Sequence, residues 1–465
     1  MRTLTIVLFI VLFGCSFTPE LKKPEIDIPS DLKPSALSLK PEAYSLQPYW
    51  WRQFNDPVLD NLIEEALRNN DDLMIAVSRI EQAGAILGIS SSQLYPFLTA
   101  GGSFTRARVS EEIHNGGGTN NTFTLSAMVS YEIDLWGKLR NKKGADLSRF
   151  LATKAARDSL EIGIISAVAS TYFNLISTDR QIKTAQEIMQ RQKDIYEFRQ
   201  KQFRHGLIDE LTLEQSKAEY ESTGILVETL KSQKDTIKSS LSILLGKSPK
   251  DLFESEIEIS SDLPEKLFLP LMLPSELLLK RPDIIQAEEN LRAANFEIAV
   301  ARASYFPSII LTGSAGFQSN ELSNLIQSSA SFWNIGAIAA GTVLDFGRTK
   351  NTIMLKEAQK KEALLQYVRT VRTAFKEVYD AIINLEQSIK RLEAQKAQLD
   401  SLEKVIALAE KKYERGLTEY LTVLDSQRGY LNARLNLIRL QTEVINNHVF
   451  LYKALGWGIR NQEVR

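Results

Sequence analysis

The chain has 465 residues, enough for about three domains. Its 56 basic and 57 acidic residues nearly cancel, which argues against a protein that grips nucleic acid through a basic surface. With 44% hydrophobic residues it can bury a core and does not have the composition of a disordered chain.

The N-terminus, MRTLTIVLFIVLFGCS, has one Arg, an apolar run from Leu4 to Phe13, then Gly14-Cys15. The run is too short to span a bilayer and reads as a secretory signal over residues 1–14. Cys15 is the only cysteine. Leu12-Phe13-Gly14-Cys15 resembles a bacterial lipoprotein box, although Phe13 is bulkier than that motif usually has. The resemblance implies that Cys15 is lipidated and becomes the mature N-terminus, and Ser16 beside it looks like the outer-membrane address. The alternative is an ordinary signal peptide with a buried cysteine. Multiple acyl chains would make a stable anchor. No later segment offers 18 or more uninterrupted apolar residues, so no transmembrane helix is expected.

Residues 15–48 carry Pro19, Pro24, Pro29, Pro34, Pro41 and Pro48, the spacing of an extended, lipid-anchored linker without a core of its own. Folded structure is expected to begin near PYWWRQFNDPVLDNLIEEAL, with short helices over 49–96. A strand hairpin is expected over 97–135. In TFTLSAMVSYEIDL, Phe123, Leu125, Ala127, Val129, Tyr131, Ile133 and Leu135 alternate with mostly polar neighbours, the period of a strand with one apolar face. FLTAGGSFTRAR alternates more weakly. Next comes a long helical hairpin over 136–246, then a connector over 247–275.

The same order then returns, offset by about 210 residues. Tyr95-Pro96 matches Phe306-Pro307, and DLWGKLRNK from Asp134 matches DFGRTKN from Asp345 with one extra residue in the first copy. Gly206-Leu207 matches Gly416-Leu417, and LLG ending at Gly246 matches ALG ending at Gly456. The second copy places short helices over 276–307, a strand hairpin over 308–346 and a long helical hairpin over 347–456, with a tail at 457–465. In SIILTGSAGFQS the apolar set Ile309/Leu311/Ala315 falls where Leu98/Ala100/Phe104 falls in the first copy. The faces of the fourth strand, SFWNIGAIAAGTVLDF, are ambiguous.

From Arg348 to Arg415 there is no Gly and no Pro. Val371, Val378, Leu385, Leu392, Leu399, Ile406 and Tyr413 recur every seven residues, with Phe375, Ile382 and Ile389 as early partners and Ala374, Ala381, Leu402 and Ala409 widening the face. Such a seam packs as a coiled coil. The run from Lys138 to His205 is comparable in length, with Gly144 and Gly163 tolerated inside it, and at 1.5 Å per residue each helix is roughly 100 Å long. Gly206 and Gly416 stand where these helices must end in a left-handed residue. Leu207 and Leu417 are expected to pack back on the last turn, and Asp209 and Thr418 to cap the next helices. A purely structural reversal is one reading of the two turns; an exposed end gripped by a partner is the other.

Strands of ten or more residues, apolar on one side and polar on the other, fit a membrane barrel. Four strands cannot close one, and open edges are forbidden in lipid, so several chains must share it. The fold class expected is therefore a membrane β-barrel plus a long α-helical barrel, built from a tandem structural repeat.

RPDIIQAEENLRAAN (Arg281 to Asn295), YFPSIILTGSAGF, VLDFGR and the paired RHGLIDELTLEQS and RGLTEYLTVLDSQ resemble the TolC-like outer-membrane efflux proteins. The lipobox and RPDI resemble its NodT-type lipoprotein branch. The resemblance spans about Trp50 to Trp457. It implies a homotrimer with a 12-stranded barrel in outer-membrane lipid, a periplasmic helical tunnel, and work with a periplasmic adaptor (membrane fusion) protein and an inner-membrane, proton-driven RND-type pump. It places Asp425 at a channel aperture, with Thr422 at the other aperture position where the family has an acid. It makes Tyr413 a tether between hairpins, and Gly206, Leu207, Ile208, Gly416, Leu417 and Thr418 adaptor-contacting turns. Three converging carboxylates would favour cations and be plugged by multivalent ones. The alternative for Asp425 is a solvated helix residue.

Enzyme chemistry is not expected. His114, His205 and His448 have no Cys or His at ligand spacing, and there is no G-x-S-x-G, P-loop or dinucleotide fingerprint. No catalytic residue, metal, cofactor or nucleic-acid partner is expected. The competing reading is a lipid-anchored periplasmic coiled-coil adaptor or scaffold, which would share the anchor and hairpins but lack four long strands.

Overall fold

The computed structural model describes residues 17–21, 27, 31–32, 49–108, 118–254, 257, 259–260, 263–264, 273–274 and 278–458. The signal segment 1–14, Cys15, His114, most of the linker and residues 459–465 lie outside the described residues. In chain order come β1 (Asp31–Leu32), a 3-10 turn (Trp50–Phe54), α1 (Pro57–Asn69), α2 (Asp71–Ser92), β2 (Phe97–Arg108), β3 (Thr119–Ile133), α3 (Lys138–Arg204), α4 (Glu210–Leu244) and α5 (Pro249–Glu254). Then follow β4 (Leu273–Pro274), α6 (Pro282–Ala303), β5 (Ser308–Ser319), β6 (Ser331–Ala340), α7 (Arg348–Glu414) and α8 (Tyr420–Ala454). The succession of a 67-residue helix and a 35-residue helix occurs twice, as α3–α4 and α7–α8. By length and composition α2 and α3 could each cross a membrane, which the search for uninterrupted apolar runs did not anticipate. The apolar window of α3 is largely buried within the chain, as in an ordinary core helix, whereas that of α2 is mostly exposed.

Two compact units divide the chain. The first comprises Met1–Ile26, Ser78–Ala155 and Ile285–Thr370 and holds the large sheet. Its strands run β2-β3-β5-β6, each antiparallel to the next. Directly opposed residues share a face. Leu98 lies opposite Val129, which lies opposite Gly313, which lies opposite Ile335. Ala100, Ala127, Ala315 and Trp333 form the next such row, and Gly102, Leu125 and Phe317 the next. One face is thus apolar across all four strands. The other is mixed, with Thr99, Ser103, Thr124, Ser126, Thr312, Ser314 and Asn334 beside Phe97, Met128, Ile310, Phe332 and Ile338. Register settles the ambiguous fourth strand: its odd-numbered residues Trp333, Ile335, Ala337 and Ala339 belong to the apolar face. β2 and β6 are the sheet's edges.

Where strands meet helices, the Trp136 ring stacks on Phe306 at 4.5 Å, and its Nε1 donates to the Pro307 carbonyl at 2.8 Å. Phe17 stacks on the same Phe306 at 5.0 Å. Thr18 Oγ1 donates to Asn141 Oδ1 at 2.6 Å, and Asn295 Nδ2 donates to the Pro19 carbonyl at 2.8 Å. Residues 17–19 therefore form a strap across the first unit. Glu297 on α6 joins Arg149 on α3 (2.8 Å) and Lys356 on α7 (3.3 Å). Burial would raise its carboxyl, but these cations hold it below the usual range.

The second unit comprises Asp27–Val77, Ala156–Ile284 and Val371–Arg465. Trp50, Trp51, Phe54, Tyr172, Phe173, Tyr452 and Trp457 anchor its core. Asp56 caps α1, accepting from the Val58 and Leu59 amides, and also accepts from the Tyr172 hydroxyl at 2.7 Å. Burial pushes that phenol up to about 12. β1 pairs with β4, so the linker is pinned at Asp31–Leu32. Arg281 is buried, bonded to Asp283, Glu377 and the Ala454 carbonyl that ends α8. The expected seam on α7 is fully buried only at Val371, Ala374, Val378, Ala381 and Leu385. Leu392, Leu399 and Ile406 are half-buried in the single chain.

Candidate functional site

The two turns lie at the ends of α3 and α7, and each closes by the same pair of backbone bonds. Gly206 N–H donates to the Phe203 carbonyl and Leu207 N–H to that of Gln202, both at 2.9 Å. Gly416 and Leu417 donate likewise to Tyr413 and Lys412, both at 2.9 Å. This double bond satisfies carbonyls that a helix end leaves free, and it requires the left-handed φ of +73° and +69° at the glycines. Asp209 caps α4, accepting from the Thr212 amide at 3.0 Å. Thr418 does not cap α8. Glu419 holds that position, without a side-chain cap bond, because it is the true counterpart of Asp209 one residue further on. Thr418 Oγ1 instead donates to Thr422 Oγ1 at 3.1 Å. Nor do the leucines fold back: Leu207 is 71% exposed and Leu417 69%. Ile208 and Thr418 flank them.

Just beyond the second turn, four helices interlock within the second unit. The Arg199 guanidinium of α3 lies 4.8 Å from the Tyr413 ring of α7 and 4.7 Å from the Tyr420 ring of α8. The two rings are 5.4 Å apart. A cation held over two aromatic faces is worth about 0.5–2 kcal/mol per ring when desolvated. Tyr420 is buried, and that burial raises its phenol while Arg199 pulls the other way. Arg428 Nε donates to Glu219 Oε2 on α4 at 2.6 Å, and Glu219 is buried. Gln192 Nε2 donates to Gln427 Oε1 at 3.0 Å. Asp425 and Thr422 are exposed one turn apart on α8, with Arg428 Nη1 3.9 Å from Asp425 Oδ1.

The family model for outer membrane efflux proteins matches residues 62–247 and 273–457. The chain belongs to this family. SilC of Salmonella typhimurium, a probable outer membrane lipoprotein, is 32% identical over 465 residues, covering 98% of this chain and 99% of its own. The solvent efflux pump outer membrane protein SrpC of Pseudomonas putida is 30% identical over 471 residues, covering 98% of both chains. The crystal structure of the CmeC outer membrane channel of Campylobacter jejuni superposes with a TM-score of 0.92 at 30% identity, over 97% of this chain and 96% of that one. The protein is an outer-membrane efflux channel, and its role is transport.

In this efflux protein the structure brings Tyr413 together with Tyr420, Arg199 and their neighbours, and leaves Asp425 and Thr422 on the surface of the single chain. Cys15 lies outside the described residues. Sequence reasoning missed Arg199, Glu219 and Arg428. They sit among many charges on long helices, where solvation is the default, and Glu219 and Arg428 meet across 209 residues. The one available signal was the aromatic pair Tyr413 and Tyr420, which flanks the repeated turn and marks a place where a cation can be held.

Proposed function

We propose that this channel is the exit duct of a tripartite system: three chains share one 12-stranded barrel in the outer membrane, and their long hairpins line a periplasmic helical tunnel. The observation that carries the reading is the four-stranded sheet, apolar on one face, more polar on the other and open at both edges. In lipid those edges must pair. Cys15 is lipidated, in keeping with the name of SilC. The exposed leucines Leu207 and Leu417, with Gly206, Ile208, Gly416 and Thr418, present the turns to a periplasmic adaptor, which couples the duct to an inner-membrane RND-type pump. Cargo is chosen by the pump, and the duct conducts passively.

Asp425 lines the aperture, one carboxylate per chain, with Thr422 adding none. The test is single-channel recording of purified protein in planar bilayers. Trivalent cations added on the aperture side should block the current, and Asp425→Ala should weaken that block by roughly tenfold or more, since three charges disappear from one axis. Silence of every variant would overturn the duct; block that ignores Asp425 would move the aperture elsewhere.

A further inference from the structure

We infer that the open edges close on a second copy of this chain in one defined register: β6 lies antiparallel to β2 of the next copy, with Val343 opposite Leu98, Gly341 opposite Ala100, Ala339 opposite Gly102 and Ala337 opposite Phe104. The inference rests on the shared-barrel reading and goes beyond it by naming the seam. It follows from the internal repeat. Pro307 stands for Pro96, so β5 follows β2 by 211 positions (307 − 96), and Gly347 stands for Gly137, so β6 follows β3 by 210 (347 − 137). These offsets carry the pair Phe97–Ser130 onto Ser308–Ala340, which is the register found between β5 and β6. The same offsets applied to the β3–β5 seam give the seam between copies. Ile133–Ile309 becomes Val343–Leu98, Tyr131–Leu311 becomes Gly341–Ala100, and Val129–Gly313 becomes Ala339–Gly102.

Three independent features agree. First, parity: the apolar face uses odd positions on β6 and even positions on β2, and each opposed pair above joins one of each. A shift by one residue would bring the even-numbered side of β6, with Asn334 and Gly336 beside Phe332 and Ile338, onto the apolar side of β2 and turn Trp333 and Ile335 away from it. Second, strand length: β3 runs beyond Ser130, where its pairing with β2 stops, to Ile133, held there by β5 alone. β6 ends at Ala340, opposite the first residue of β5. Residues 341–343 are the counterpart of that extension and have no strand to hold them, and Val343 is 100% exposed. β2 of the next copy supplies the missing partner. Third, the aromatic seat: Trp136 rests on Phe306 and bonds the Pro307 carbonyl across the internal seam. Its counterpart Phe346 is 92% exposed, and the counterpart of Phe306, Tyr95, is 71% exposed. Phe346 is held at φ +51°, rare for a bulky residue, in a turn fixed by Asp345, which accepts from the Gly347 and Thr349 amides. Phe346 seats on Tyr95-Pro96 of the next copy.

The test is disulfide trapping in the full chain, extracted from membranes in detergent. Gly102→Cys with Ala339→Cys should oxidise to covalent trimers at least tenfold faster than Ala100→Cys or Phe104→Cys with Ala339→Cys. A step of two residues moves the partner by about 6.8 Å, beyond disulfide reach. A Cβ at Gly102 meets only ordinary contacts, 3.7 Å from the Thr124 carbonyl oxygen. Leu98→Cys with Val343→Cys is the second pair should that variant fail to fold. Off-register pairs linking as fast, or a three-chain particle that links in no pair, would overturn the register and leave the shared barrel standing. A single-chain particle linking in none would overturn both. Phe346→Ala should lower the temperature at which the trimer dissociates, and Phe346→Trp should not; equal dissociation removes Phe346 from the seam.

Discussion

His448 shows what a single buried group does here. It sits inside α8, with Nδ1 2.8 Å from the Val444 carbonyl, and burial pushes its imidazole down to about 4. The unfolded chain takes up that proton near 6.5. Between those values the unfolded state binds more protons, so stability falls as pH falls. The loss should reach about 2 kcal/mol by pH 5. Thermal melts at pH 7.5 and pH 5 would measure it, and His448→Leu should flatten that part of the profile. Asp179 acts in the same direction at lower pH. Burial would raise its carboxyl, but Lys234 and Lys183 hold it below the usual value. Its contribution is present above about pH 4 and disappears in stronger acid.

At the scale of elements, the four terminal glycines use one backbone device in two settings. Gly206 and Gly416 end the long helices with nothing within 4 Å of an added Cβ, whereas a Cβ at Gly246 would lie 2.1 Å from the Asn69 carbonyl oxygen. Gly206→Ala should therefore cost only the left-handed backbone penalty, about 1–2 kcal/mol. Gly246→Ala should cost clearly more, because two backbones approach there. Equal losses in denaturant titrations would contradict this account. The repeat made most elements legible in advance: the strand at Thr119–Ile133 came from strict alternation, the second 67-residue helix from the lack of Gly and Pro, the first from its match to that one despite Gly144 and Gly163, and the ends of both from Gly206 and Gly416. Local pattern did not carry pairing. The face of β6 needed register, because Gly336, Ala337, Ala339 and Ala340 say little about direction. The Arg428–Glu219 pair needed a fold that brings distant helices together. The lower α7 seam is half-buried at Leu392, Leu399 and Ile406 and buried at Ala409 within one chain, since a heptad pattern states which face will be covered but not whether the cover belongs to the same chain.

For the whole molecule, we propose that the contacts around Arg199 and Glu219 oppose opening of the duct, because parting α3, α4, α7 and α8 must break them. Arg199→Ala and Arg428→Ala each remove contacts that only this arrangement makes. If each loss is about 1–2 kcal/mol, the open fraction rises by roughly 5- to 30-fold. Recordings in planar bilayers would read this as longer open times at unchanged single-channel conductance; variants as quiet as the parent would assign the resistance to opening to other contacts. The strap bears on how such a molecule reaches its membrane. Phe17 is stacked on Phe306, the ring that also carries Trp136, and Cys15 is two residues away along the chain, a reach of about 7 Å at most. An acyl group on that cysteine would plant its tails beside the mouth of the hairpins, not at the end of a free cord. Grease would touch the bilayer first and berth the strand roots at the surface, so that insertion becomes a local event under one fixed mooring.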